Sequence, residues 1–360
     1  MRIVVALFLA VASIIAAVWT WLGAPVPMPP SPLAAGEKLY CVSYAPYRGR
    51  QSPFTEGIRI SSAQIEEDLT RLSQATDCVR TYSTDQGIEQ VPAIAAKLGM
   101  KVILGLWLSR HPDKNRVQIE QAVALSNEHK DTVRAVVVGN EVLLRGEMKA
   151  EQLADTLRSM KERTSVPITY AEVWEFWLRA PELAAITDFL TIHILPYWED
   201  FPIPASEAGA HLASIRAKVA AAFPGKDILI GETGWPSAGR MREGALPSPS
   251  SQARVLHDVV NTAVANGYRV NLIEAFDQPW KRLMEGTVGG HWGLYDDSTR
   301  NAKFTWGAPV SDHPLWRLQA AAGIALALLT FVAAWAGRSE ATRSDLSRWV
   351  GIAATAAAGG

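Results

Sequence analysis

The chain lacks the marks of several large protein classes. It has two cysteines in 360 residues and no HExxH pattern, so neither a cysteine cluster nor a helix-borne histidine pair offers a metal site. No glycine-rich phosphate loop is present either. No cofactor and no metal are therefore expected. The formal net charge is −1, with no block of like charge, so there is no footprint for nucleic acid. No repeat recurs at solenoid spacing.

Long apolar runs are present, and they lie at the two ends. Ile3 to Leu22 is a run of twenty residues without a charge, enough to span a bilayer core of about 30 Å at about 1.5 Å per residue. It is longer than a signal-peptide core, and no small-x-small cleavage site follows it directly, so an uncleaved anchor is expected. Leu318 to Gly337 is a second such run, followed by Arg338, Arg343 and Arg348. With Arg2 before the first run, these arginines mark cytoplasmic flanks. The reading is a transmembrane anchor at 1–22, a proline-rich linker at 23–38, a globular domain at 39–310, a transmembrane helix at 318–337, a cytoplasmic loop at 338–348 and, at 349–360, the start of a further span. The globular domain would face outward from the inner membrane, into the periplasm of a Gram-negative cell. For Cys41 and Cys78, at the heads of the first two expected strands, a disulfide and a pair of buried thiols both stay open.

Between Leu39 and Trp280 apolar β-rich runs alternate with helical ones. Eight strands are expected, at Leu39–Tyr44, Cys78–Tyr82, Lys101–Trp107, Ala135–Glu141, Pro167–Ala171, Phe189–Leu195, Asp227–Glu232 and Arg269–Phe276. Several are nearly continuous apolar runs, as strands covered on both faces are. Ser61 with Gln64 fits a capping box, and Gly99 closes the helix ending at Leu98. Eight such units in about 240 residues match an α/β fold of the (β/α)8 TIM-barrel type, although a doubly wound sheet would alternate in the same way. Polar and aromatic residues at nearly every strand's carboxyl end favour the barrel.

Two stretches carry chemistry. Val138-Gly139-Asn140-Glu141 and Ile230-Gly231-Glu232-Thr233-Gly234-Trp235-Pro236-Ser237 each place a glutamate where a buried strand meets its loop. Two carboxylates brought together on a barrel are the minimum apparatus for cleaving a glycosidic bond. One must carry a proton near neutral pH and the other must stay ionised.

Together with HILPYWE, EAFDQPWK, CVRTYS and GHWGLYD, these motifs resemble glycoside hydrolase family 17, and its bacterial membrane-bound branch most closely. The resemblance covers roughly Leu39 to Phe304. It implies a (β/α)8 barrel acting on β-1,3-glucan, oligo- or polysaccharide, through a covalent glycosyl-enzyme, with Glu141 as acid/base and Glu232 as nucleophile. Asn140 resembles the residue that hydrogen-bonds the sugar 2-hydroxyl in related barrels, with a simple turn-former as the alternative. Tyr197 is implied to orient the Glu232 carboxylate, against a packed tyrosine. Tyr44, Arg80 and Tyr82 match positions at the first two strand ends. Arg80, in an otherwise apolar strand, needs a buried partner, for which a site carboxylate is the obvious candidate, with a purely structural ion pair as the alternative. Glu274, Asp277 and Lys281 match positions that support the nucleophile or bind sugar, while Gln278 departs from the family pattern, where an acidic residue is expected.

Seven tryptophans, Trp107, Trp174, Trp177, Trp198, Trp235, Trp280 and Trp292, fall at or after strand ends. Indoles stack on sugar faces, so together they suggest a glucan cleft, with Trp235 and Trp280 as candidates for contact; core packing is the alternative for each. His193 reads as a satisfied barrel histidine, and Glu172 and Glu175 face either a subsite or solvent. Three functions compete: a retaining β-1,3-glucan hydrolase, a β-glucanosyltransferase that elongates or branches β-1,3/1,6-glucan, and a non-catalytic glycan-binding module. Protein partners are not legible.

Overall fold

The structure is a computed structural model describing residues 2–337 and 346–359. Two compact units are present, one from residues 28–308 and one from 1–27 with 309–360.

The larger unit is a closed barrel of eight parallel strands: β1 Cys41–Ser43, β2 Cys78–Arg80, β3 Lys101–Leu106, β4 Val133–Asn140, β5 Ile168–Val173, β6 Leu190–His193, β7 Ile228–Thr233 and β8 Arg269–Leu272. Order around the barrel follows sequence, and β8 closes on β1 through Cys41↔Asn271 and Val42↔Leu272. This is the expected (β/α)8 architecture. The first and last strands are shorter than the apolar pattern suggested, because their ends leave the ladder for the loops above it. Past β8, for example, Glu274 N–H donates to Trp292 O at 3.1 Å and Ala275 N–H to Ser43 O at 2.8 Å.

Alternation along the strands sorts the core into two layers. Val42, Val79, Val102, Leu104, Val136, Val138, Ile168, Ile192, Ile228 and Ile230 pack outward into the main core with the surrounding helices. Cys41, Cys78, Ile103, Ala135, Val137, Ala171 and Leu229, on the other face, form a separate cluster that fills the axis. The β1–β2 register aligns Val42 with Val79, which sets Cys41 opposite Cys78, and the two are joined in a disulfide. Of the two readings open from the sequence, the structure has the bond.

Local punctuation works largely as expected. Helix Ser62–Leu72 starts at Ser61, whose hydroxyl accepts from Gln64 N–H at 3.2 Å. Gln64 does not complete the capping box, since its amide donates instead to Pro46 O at 2.6 Å. Gly99 follows helix Val91–Lys97 with φ +68°, a conformation that only glycine adopts without cost.

The smaller unit contains the helices Arg2–Leu22, Trp316–Ala336 and Leu346–Gly359. The first two are each 21 residues long and apolar enough to cross a membrane, and most of their surface is unburied. Phe8, Phe331 and Trp349 join the three, with Phe331 stacked on Trp349 at 6.1 Å. Arg338 and Arg343, with residues 338–345 of the expected cytoplasmic loop, lie outside the described residues.

Candidate active site

Glu141 and Glu232 meet at the carboxyl end of the barrel. Strict alternation would turn Glu232 outward, because Leu229 faces the axis. The β6–β7 register shifts between Ile192 and His193, and the β7–β8 register between Ile230 and Thr233, and these irregularities re-aim the side chain. A similar shift between Val137 and Asn140 on β4 brings Asn140 inward, and Gly139 there has φ +87°. Glu141 follows with φ +51°, unusual for a residue with a side chain.

Glu232 is buried, at 5% exposure. Arg80 Nη1 donates to its Oε1 at 3.0 Å, and the Tyr82 hydroxyl donates to the same oxygen at 2.8 Å. Arg80, with no exposed surface, also donates from Nη1 to Gly231 O at 2.8 Å and from Nη2 to Asn140 Oδ1. Below them, Asn271 of β8 donates to Ser43 Oγ at 2.8 Å and to Gly231 O at 2.7 Å, and Ser43 Oγ lies 2.7 Å from the Tyr82 hydroxyl. Burial resists ionisation of Glu232, but the positive field of His193 and Arg80, the Tyr82 hydrogen bond and the charge of Lys281 outweigh it, and the carboxyl is held below its ordinary range.

His193 links the two carboxylates: Nδ1 is 2.7 Å from Glu141 Oε1, and Nε2 is 3.6 Å from Glu232 Oε1. The sequence marked it only as a satisfied histidine. A polar residue between the outward-packed Ile192 and Ile194 was the available signal, and alternation aims it at the axis; what it meets there depends on the β7 register shift that turns Glu232 inward. Glu141, His193 and Glu232 bring one donor atom each within 4.8 Å of one another. A cation there would face the Arg80 guanidinium, 3.3 Å from His193 Nε2, which already supplies the positive charge. The chemistry of the group therefore suits proton transfer better than metal binding.

On β8's loop, Lys281 Nζ donates to Glu274 Oε2 at 2.7 Å. Burial pushes Glu274 up to about 7 against the pull of Lys281, while Lys281 is raised because Glu274, Glu285 and Glu232 together overcome its own burial. Gln278, completely buried, donates to Ala45 O at 3.0 Å and accepts from Trp280 Nε1 at 2.7 Å. An acidic residue could not make the first of these bonds, which gives the departure at this position a physical reason.

Several expected contacts are corrected. Tyr197 does not reach Glu232; its hydroxyl donates to Arg240 O at 2.6 Å and its ring packs on Trp198, Trp235 and Trp292. Tyr82 makes the bond to Glu232 instead. Tyr44 points away from the carboxylates to Asp68 Oδ2 at 3.0 Å. Asp277 is tied to Lys303 Nζ at 2.6 Å and Gly293 N–H at 2.8 Å, which anchors the segment after β8. Trp235 has no exposed surface and donates to Leu246 O at 3.0 Å, so it is core, as are Trp177 and Trp292. Trp107 and Trp198 are exposed and Trp174 and Trp280 half-buried, so the aromatic rim is smaller than seven rings suggested. Trp280 meets Tyr47 and the exposed Phe54 edge-on at 6.2 and 5.6 Å. Glu175 is half-buried, and Glu172 is fully buried rather than facing a subsite or solvent.

A (β/α)8 barrel with two opposed carboxylates at its strand ends defines the class of glycoside hydrolases. Residues 41–293 match the BtgE/BtgC glycoside hydrolase domain, and the chain belongs to that family. Among relatives, a probable beta-glucosidase btgE of Aspergillus fumigatus is 28% identical over 255 residues, covering 68% of this chain and 44% of the relative. The chain thus spans less than half the length of that relative. A glucan 1,3-beta-glucosidase of Arthroderma benhamiae is 29% identical over 262 residues, covering 67% of this chain and 83% of the relative. Among solved structures, an active-site mutant of Rhizomucor miehei beta-1,3-glucanosyltransferase in complex with laminaritriose superposes with a TM-score of 0.66 at 26% identity, over 74% of this chain and 97% of that one. The same enzyme is described as glycoside hydrolase family 17, in agreement with the motif resemblance. An endo-laminarinase from Formosa Hel1_33_131 shares the fold at a TM-score of 0.65 and 21% identity, over 79% of this chain and 87% of that one.

Proposed function

We propose that the barrel is a retaining glycosidase acting on β-1,3-glucan, with Glu232 as nucleophile and Glu141 as acid/base. The observation that carries this is the spacing of the pair: a carboxylate oxygen of each lies within 4.8 Å of the other. Retaining enzymes hold the two groups about 5–5.5 Å apart, whereas inverting ones leave room for a water at about 6.5–9.5 Å. The held-down Glu232 is fit to attack the anomeric carbon as an anion, and Glu141, partly open to solvent, is placed to protonate the leaving oxygen and then to deprotonate water. Asn140, whose oxygen is engaged by Arg80, has its amide N–H groups left for the sugar 2-hydroxyl. Half-buried Trp280 and exposed Trp107 and Trp198 supply apolar faces for glucose rings.

Transfer to a second sugar in place of water is the other reading, favoured by the likeness to the Rhizomucor glucanosyltransferase. Products longer than a laminari-oligosaccharide substrate would indicate transfer, and only shorter ones hydrolysis. The roles of the two glutamates are tested on an aryl glycoside whose leaving group needs no protonation. Glu232→Ala loses turnover altogether, by at least about 1,000-fold. Glu141→Ala gives a burst of phenolate followed by near-arrest, since the glycosyl-enzyme lacks a base. Azide rescues Glu141→Ala to a β-azide and Glu232→Ala to an α-azide. Identical products from both variants would overturn the assignment.

The domain is proposed to work outside the cytoplasm, anchored in the inner membrane by the two apolar helices. The Cys41–Cys78 disulfide supports an oxidising compartment. A reporter that needs oxidation should be active when fused after Trp306 and silent near Ser344; the opposite pattern refutes this orientation.

A further inference from the structure

We propose that Glu172, at the carboxyl end of β5, is a positioning residue that holds the Glu141 loop in place for proton transfer. The proposal rests on the acid/base role given to Glu141. Nothing in the sequence distinguished Glu172 from a surface acid, yet it has no exposed surface. Its carboxylate gathers donors from the loop that follows Glu141. Oε2 accepts from Leu143 N–H and Leu144 N–H, both at 3.2 Å, and from the Tyr170 hydroxyl. Oε1 accepts from Val173 N–H at 2.9 Å. The Tyr170 oxygen accepts from Leu143 N–H at 3.0 Å, and Glu141 N–H donates to Ala171 O at 2.8 Å. Residues 170–172 of β5 therefore form a cradle under residues 141–144.

The loop needs such a cradle. Glu141 adopts φ +51° just past the end of β4, a left-handed conformation that a side-chain-bearing residue holds only when its surroundings fix it. From the opposite side Arg145 closes it: its N–H donates to Glu141 O at 2.9 Å, its guanidinium to Asn140 O at 2.9 Å and Leu108 O at 2.8 Å, and the same group lies 4.1 Å from the Trp107 ring centre. Glu172 forms no ion pair among the described residues. A buried carboxylate without a cation is costly to keep, and its particular capacity is to accept four donors at one place. A glutamine would turn an N–H group toward those donors.

The test compares kcat and KM of the full chain on a laminari-oligosaccharide with the phenolate burst rate on a dinitrophenyl laminaribioside. In Glu172→Gln, kcat on the oligosaccharide should fall roughly 10- to 100-fold with KM near wild type, the scale of a misplaced catalytic group, while the burst rate stays near wild type. Equal losses on both substrates, or no loss on either, overturn the proposal. If Glu172→Gln does not fold, Tyr170→Phe decides, because it deletes only the hydroxyl shared by Leu143 N–H and Glu172: the same leaving-group-dependent loss, smaller, supports the role, and an even loss or none refutes it. Glu141→Ala in the same series separates the two ideas. If it too fails to discriminate between leaving groups, the acid/base assignment falls and the positioning role with it. If it discriminates and Glu172→Gln does not, only the positioning role falls.

Discussion

Glu232 and Glu141 stand beside one histidine, yet they are held in opposite ways. Glu232 lies inside the ladder, paired in register with His193, and its carbonyl accepts from Ile194 N–H at 2.9 Å. Its carboxylate is fixed directly by Arg80 and Tyr82 and backed by Ser43 and Asn271. Glu141 lies just beyond the ladder, its side chain 21% exposed, and its support comes mainly through the backbone of its own loop. In the role proposed for Glu232, a group that must stay ionised and attack one carbon gains from a rigid, charged surround. In the role proposed for Glu141, a group that must exchange protons with a leaving sugar and then with water needs an open side, so its precision has to come from behind.

The largest expected break in this comparison comes from Arg80→Met. Removing the guanidinium takes from the buried Glu232 its direct ion pair and leaves it only His193, the Tyr82 hydroxyl and the more distant Lys281, which should cost about 3–5 kcal/mol of stability. Because Glu232 is held below its ordinary value, its contribution is present at neutral pH and lost as pH falls through the folded value. Without Arg80 that loss begins at higher pH, so the acid limb of kcat/KM should move upward. An unmoved limb would show that Arg80 does not set the charge on Glu232. Trp235→Ala comes next. With no exposed surface three residues past Glu232, it should cost about 3–5 kcal/mol in urea unfolding, whereas Trp280→Ala should weaken substrate handling with little change in stability. Preserved stability in Trp235→Ala would return that residue to the cleft.

The smallest effect concerns Glu274, whose carboxyl titrates near 7 in the fold against an ordinary value of 4.5. Between those values the folded protein keeps a proton that the unfolded chain releases, so stability falls as pH rises through this window and levels off above it. Glu274→Gln removes the titration. Relative to wild type the variant should gain about 1–3 kcal/mol on going from about pH 5 to about pH 8. Parallel stability profiles for the two proteins would remove Glu274 from the support of Lys281 and, through it, of Glu232.

Much of the fold and of the site is legible in the order of the residues. The eight apolar runs, the helix punctuation and the two glutamates at strand ends are local patterns, written in residues a few positions apart. Arg80 is legible too, because a cation in an apolar strand demands a partner. The identity of the Glu232 support is not: Tyr82 and Tyr197 both follow strands, and both carry a hydroxyl able to reach inward.

What the sequence by itself determined is the βα alternation, its count and the pair of carboxylates, since each follows from hydrophobic period and residue chemistry along a short stretch. Only the tertiary structure decided which side chains face the axis. The register shifts on β4 and β7 turn Asn140 and Glu232 inward against strict alternation, beside a His193 that alternation already aims at the axis, and the closing of β8 on β1 carries Asn271 and Ser43 beneath them. Those facings depend on how strands far apart in sequence slide past one another as the barrel closes, and the period within any one strand carries no record of that shear.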